Sequence, residues 1–172
     1  MLRFAGVVLL MVGCIGSGWS AKERLKKTLD DLYRIRQIFQ MFQSEIAYSK
    51  APIPEACLRI GNRTGEPYRS ALLSVREEMT ADHGELFLDI WHRQMNICMR
   101  KLSIAGEDKR LFLDFGSCIG YADEKMQIQA VEQYIHKLDI SIKRMEKDMT
   151  DKCKVIMSLS IMGGLVLAII LL

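Results

Sequence analysis

Both ends of this 172-residue chain lack charge. Arg3 is the only charged residue before Lys22, and none follows Lys154. Apart from Arg3, all 24 Lys and Arg and all 21 Asp and Glu fall within 22–154, which carries a net charge of +2. Uncharged ends on a charged middle exclude a fully soluble monomer, and the hydrophobic content excludes a disordered chain. The near-neutral balance, +3 over the whole chain, gives no basis for a nucleic-acid partner. Proline is scarce, with only Pro52, Pro54 and Pro67. The five cysteines (14, 57, 98, 118 and 153) form no C-x-x-C pair and no Cys/His zinc spacing. A disulfide scaffold is excluded, and scattered thiols suit a reducing compartment where they pack as small apolar groups.

Catalytic signatures are missing as well. His92 and His136 stand singly on expected helices, and His83 lies in a turn with Asp82 and Glu85, without the i, i+4 spacing of helical ligands. Gly13, Gly16 and Gly18 lie inside an apolar run, so they form no phosphate loop. No Ser, Cys or Thr stands in a nucleophile motif. The carboxylate pairs Asp30-Asp31 and Glu77-Glu78 read as solvated helix faces. Neither an enzyme nor a cofactor is expected.

The two ends are apolar. Val155–Leu172 is 18 uncharged residues, about 27 Å of helix, close to the roughly 30 Å hydrocarbon core. Leu2–Trp19 admits three readings. A cleavable signal peptide is opposed by bulky Trp19 in the cleavage region. Leu10-Met11-Val12-Gly13-Cys14 comes near a lipoprotein box, which would make the chain a lipid-anchored extracytoplasmic binding protein through Cys14. The favoured reading is an uncleaved anchor, because the chain returns to a membrane at Val155. Lys22, Arg24, Lys26 and Lys27 follow the first run; Lys143, Arg144, Lys147, Lys152 and Lys154 precede the second. The positive-inside bias then places the middle in the cytoplasm. The expected organisation is a transmembrane helix over 1–21, a cytoplasmic helical domain over 22–154 and a transmembrane helix over 155–172. The basic residues from Lys22 to Arg36 suit lipid headgroups.

The middle reads as all-α, a bundle of about six helices. Leu25, Leu29, Leu32, Ile35, Phe39, Phe42 and Ile46 recur at steps of three and four, the spacing of one helix face. Pro52 and Pro54 stop that helix and open a short one ending near Gly61, and 61–65 reads as a loop. Pro67 opens a helix facing inward with Tyr68, Leu72, Val75 and Met79. After a break at 82–84, the next carries Leu86, Ile90, Trp91, Met95, Met99 and Leu102. A fifth starts at Gly106 and carries Leu111, Phe112 and Phe115. The last, about 50 residues long, is capped by Asp123 and striped by Val131, Tyr134, Leu138 and Ile142. No stretch alternates as a strand would.

Three stretches carry a resemblance. They are Glu45-Ile46-x-Tyr48-x-x-x-Pro52-Ile53-x-Glu55-Ala56; Phe115-Gly116-x-x-Ile119-Gly120-x-x-Asp123-x-x-x-Gln127; and Lys154-x-x-x-Ser158-Leu159 with Gly163-Gly164 beyond. In this order, with Trp91 midway and an apolar run at each end, the chain resembles the stage III sporulation protein AB family along essentially its whole length. The resemblance implies a cytoplasmic helical domain similar to the platform proteins of type II secretion and type IV pilus machines. It implies an inner-membrane component of a channel between mother cell and forespore. Its expected partners are a secretion-type ring ATPase (stage III sporulation protein AA), other membrane components of that channel, and lipids. Thr28-Leu29-Asp30-Asp31 departs from an Arg-rich stretch of the family, so basic contacts there do not carry over.

The motif residues also have structural readings. Pro52, Gly116 and Gly120 shape turns, and Trp91 is core. Glu45, Tyr48, Glu55, Asp123 and Gln127 serve either as caps and interhelical hydrogen bonds or as a partner surface. The turn at Ser49–Pro54 lies about 30 residues past the first apolar run, and Gly120–Asp123 lies 32 residues before Val155. Equal helix lengths put both at one membrane-distal tip, where the ATPase is expected to dock.

Overall fold

The computed structural model describes the backbone of residues 2–81, 84–119 and 124–171, and the side chains of 22–81, 84–119 and 125–152 with a few beyond. Among these residues all regular structure is helical. The elements are α1 (Leu2–Ser44), α2 (Ile53–Arg63), α3 (Tyr68–Thr80), α4 (Phe87–Arg100), α5 (Gly106–Ile119) and α6 (Glu124–Leu171), with a π-helical turn at Glu45–Ser49. The expected all-α class and six helices are what the described residues form. It divides into two units, Asp30–Ile142 and Met1–Leu29 with Lys143–Leu172.

The unit Asp30–Ile142 is built on the periodic stripes. Leu32, Ile35, Ile38, Phe39 and Phe42 of α1 are all buried, as are Ala56, Cys57 and Ile60 of α2. Steps of three and four keep such residues on one face, and burying each large side chain contributes about 1.5–3 kcal/mol. Consecutive helices pack in chain order, α2 on α3, α3 on α4 and α4 on α5. Aromatic rings fill the centre. Phe39 stacks on Phe115 at 4.0 Å between centroids, and Trp91 lies within 5.6–5.8 Å of Phe42, Phe87, Phe112 and Phe115.

Four sequence expectations need correction. Gly61 does not begin a loop: α2 runs on to Arg63, and a Cβ on Gly61 would lie 3.4 Å from Leu72 and Leu73, so its smallness lets α3 approach. Leu86 does not face inward. It precedes the first residue of α4 with extended backbone and is 71% exposed. Asp31 is buried, with the Tyr68 hydroxyl donating to its backbone carbonyl at 3.4 Å. Glu78 braces α3 against α4, accepting from Arg93 Nη2 and Gln94 Nε2 at 2.6 Å each. A two-residue charge pattern does not reveal that one member meets another helix.

Cys57, Cys98 and Cys118 are buried free thiols, and burial pushes each up to about 12 from 9.0. Burial also raises the Tyr68 hydroxyl above its ordinary 10.0. Below pH 9 folded and unfolded chains both keep these protons. Above it the unfolded chain loses them first, so unfolding releases protons and stability falls as pH rises. The urea midpoint is therefore expected to hold steady to about pH 9 and to decline between 9 and 12. A midpoint flat across that window would contradict the burial of these groups.

In the other unit, α1 up to Leu29 and α6 from Lys143 are helical. Thr28 and Thr150 donate their hydroxyls to the carbonyls four residues back, Arg24 and Glu146, at 2.9 Å. Val155 and Met162 are exposed. Among the described residues no helix is long and apolar enough to cross a membrane. Cys14, His83, Gly120, Asp123 and Cys153 lie outside the described side chains.

Candidate functional site

The first motif builds the connection from α1 to α2. After Ser44 the helix widens by one residue per turn. Lys50 then adopts the left-handed region at φ 48° and returns its N–H to the Glu45 carbonyl at 3.0 Å. Pro52 has no N–H to give and holds φ near −54°, so α1 cannot continue through it. Its carbonyl accepts from Glu55 and Ala56 N–H at 2.9 and 3.0 Å, which starts α2.

Arg59, one turn past Glu55 on α2, ties this connection together. Its Nε–H donates to Glu55 Oε1 at 3.1 Å; Nη1 donates to Ser49 Oγ at 2.7 Å and Glu45 Oε2 at 3.3 Å. The sequence carries only part of the signal for Arg59. The i, i+4 pair with Glu55 was legible there, whereas Ser49 and Glu45 approach only because the chain reverses. Glu45 and Glu55 are therefore held acids.

Beside this clamp lies a groove of about 270 Å³, lined by Phe42, Glu45, Ile46, Pro52, Ile53 and Gln127 among others. Gln127 of α6 donates Nε2–H to the Ile119 carbonyl at 2.7 Å, supplying a partner at the end of α5. The groove thus brings Glu45 and Pro52 of the first motif together with Gln127 of the second. Tyr48 points away from the core and is 88% exposed.

Trp91 and Gly116 do not belong to this groove; they belong to each other. Trp91 is fully buried, and its indole N–H donates to the Phe112 carbonyl at 3.3 Å. A Cβ at Gly116 would lie 2.4 Å from Trp91 Cδ1, so the indole lies against the backbone of α5. Gly116 is inside a helix and shapes no turn, which corrects the sequence reading. Trp91 is core, as expected.

Removing Arg59 tests the clamp. The guanidinium and Glu55 are both well exposed, while the Glu45 side chain is 14% exposed. Arg59→Ala is expected to cost about 0.5–1 kcal/mol, the range of a partly exposed ion pair. In double-mutant cycles its coupling to Glu45 should exceed that to Glu55. The reverse order would mean the local i, i+4 pair dominates.

Among the described residues no group of three or more His, Cys, Asp or Glu is placed to hold a metal ion. The sequence model of the family described as stage III sporulation protein AB matches residues 3–172. A solved structure described as stage III sporulation protein AB aligns with a TM-score of 0.66, covering 72% of this chain and 97% of its own, at 16% identity. At that identity the likeness shows a shared fold. No curated protein matches the chain at a significant level. With the family match running from residue 3 to the last, the chain belongs to the stage III sporulation protein AB family.

Proposed function

We propose that this sporulation protein is a non-enzymatic membrane platform. In this reading it is part of a secretion-like channel in the mother-cell membrane around the forespore, and its main domain is cytoplasmic. The unit Asp30–Ile142 docks the secretion-type ATPase, stage III sporulation protein AA, alongside other membrane components of the channel. The observation that carries this reading is the gathering of Glu45, Pro52 and Gln127 around one groove, with Tyr48 exposed beside it. An unburied aromatic is a common anchor of protein interfaces.

Membrane attachment is supported by the two apolar runs and by the exposure of Val155 and Met162, which lipid would cover. The basic residues flanking those runs fit the cytoplasmic side. The side chains at the groove are acids held by arginine, a prolyl turn and an amide, groups suited to shaping a docking surface.

The test uses the full chain in nanodiscs and the purified ATPase. Tyr48 buries almost nothing, so Tyr48→Ala should leave the melting temperature unchanged while weakening capture about tenfold or more, the loss of one hot-spot aromatic. Neutralising Lys22, Arg24, Lys26 and Lys27 together should leave capture intact. If the tyrosine variant captures normally and the basic variant does not, the docking surface lies at the basic segment instead.

A further inference from the structure

Three of the nine arginines in the unit Asp30–Ile142 are ion-paired. Arg36 pairs with Asp139 at 2.5 Å, Arg59 with Glu45 and Glu55, and Arg93 with Glu78 and Glu85. Arg34 and Arg63 are set apart by their position. Among the described residues neither is ion-paired with a carboxylate. Yet both line one concavity of about 340 Å³, with Gln37, Thr64, Gly65 and Tyr68.

The surroundings keep the cations available. Gly65 has no side chain, and a Cβ there would lie 3.2 Å from Arg34 Nη1, so the guanidinium rests against the α2–α3 connection. Thr64 spends its hydroxyl on the Gly61 carbonyl at 3.2 Å. Of the nearby acids, Glu66 accepts from Ser70 Oγ at 2.5 Å, and Asp31 is buried beside Tyr68. Two cationic side chains that line one hollow repel each other, and an oxyanion bound between them would remove that cost.

The geometry points to a phosphate-binding site formed by Arg34, Arg63 and Gln37, whose ligand is a phosphate ester. Planar guanidinium forks donate two parallel hydrogen bonds each, and the Gln37 amide adds a third direction. Donors carried on α1 and at the end of α2 suit a tetrahedral oxyanion, whose oxygens point out of any single plane. A lone carboxylate is planar and satisfied by one fork. The hollow also exceeds one phosphate in size, leaving room for the ester's organic part. Such an ester is either a soluble metabolite or the headgroup of a phospholipid; the chemistry at the arginines is the same.

The experiment uses the full chain in an uncharged detergent, titrated with glycerol 3-phosphate and followed by the backbone amide signals of Thr64, Gly65 and Tyr68. In parallel, the chain is placed in nanodiscs of phosphatidylcholine with and without phosphatidylglycerol, and the same signals are compared. Arg34→Gln and Arg63→Gln should each weaken the response about tenfold or more, the loss of one charge-assisted fork. Gly65→Asp, which sets a carboxylate against Arg34, should abolish it with the melting temperature unchanged. Arg34→Lys should restore it only in part. Saturation by glycerol phosphate with no difference between the two kinds of disc identifies a soluble ester; a response that appears only in phosphatidylglycerol discs identifies a lipid headgroup. Either result, lost in the arginine variants, supports the site. No saturable response to either probe overturns it, as does a response that survives Arg34→Gln with Arg63→Gln.

Discussion

Trp91→Ala is expected to lower the unfolding free energy of the protein by about 3–5 kcal/mol, the range for deleting a fully buried large aromatic. The indole is enclosed by Phe42, Phe87, Phe112 and Phe115. Phe112 carbonyl loses a donor as well, although it keeps the helical bond from four residues on. Against a total stability of about 5–15 kcal/mol for a domain, such a loss brings the unit near its folding limit. Urea unfolding of the full chain followed by circular dichroism gives the number. A loss under about 1 kcal/mol would show that the aromatic cluster is loosely packed and that Trp91 is no keystone.

Gly116→Val is the complementary experiment, overfilling the same contact. Helix propensity favours the change slightly, because glycine is the poorer helix former. The space does not. The new Cβ would fall 2.4 Å from Trp91 Cδ1 and 2.6 Å from Cγ, and the ring has rings on its other sides. Overpacking of a rigid core typically costs about 1–3 kcal/mol, and the upper end is expected here. The two substitutions should also fail to add. In a Trp91→Ala background Gly116→Val meets a cavity, so it should be neutral or stabilising there. Equal cost in both backgrounds would mean that valine disturbs the backbone of α5 and not the indole.

This pair shows where sequence reading stopped. Ile35, Phe39 and Phe42 on α1, and Val131, Leu138 and Ile142 on α6, were legible because each repeats the helical period with its own neighbours, and all are buried. Pro67 and Gly106 marked helix starts for local reasons of backbone geometry, and α3 and α5 begin beside them. Gly116 carried no such signal. Its partner is 25 residues away on another helix, and a glycine inside an apolar run reads as a breaker until the ring it accommodates is seen. Leu86 failed for the opposite reason: the i−4 step from Ile90 extrapolated a helix one residue past its actual start.

The groove was half legible. Glu45, Pro52 and Gln127 stand in the motifs and line one surface, whereas their neighbour Arg59 carries no sequence signal beyond its i, i+4 pair with Glu55. Two of its three partners become neighbours only through the left-handed residue Lys50 and the reversal around it. Glu55 shows the practical result. Replacing it by lysine would set two cations against each other at the clamp, so that change reads out local rearrangement as much as surface charge.

The enclosure of Trp91 also gives the protein an internal optical gauge. An indole sealed among phenyl rings, with its N–H donated to a carbonyl, has no water to relax around its excited state. Its emission should lie far to the blue and shift red on unfolding. The chain has one other tryptophan, Trp19, at the border of the first apolar run. Replacing Trp19 by Phe leaves a fluorophore that reports on the helical unit alone. Replacing Trp91 instead leaves one that reports on the polarity around the N-terminal run. The same molecule thereby offers separate spectroscopic views of its core and of the segment expected to meet lipid.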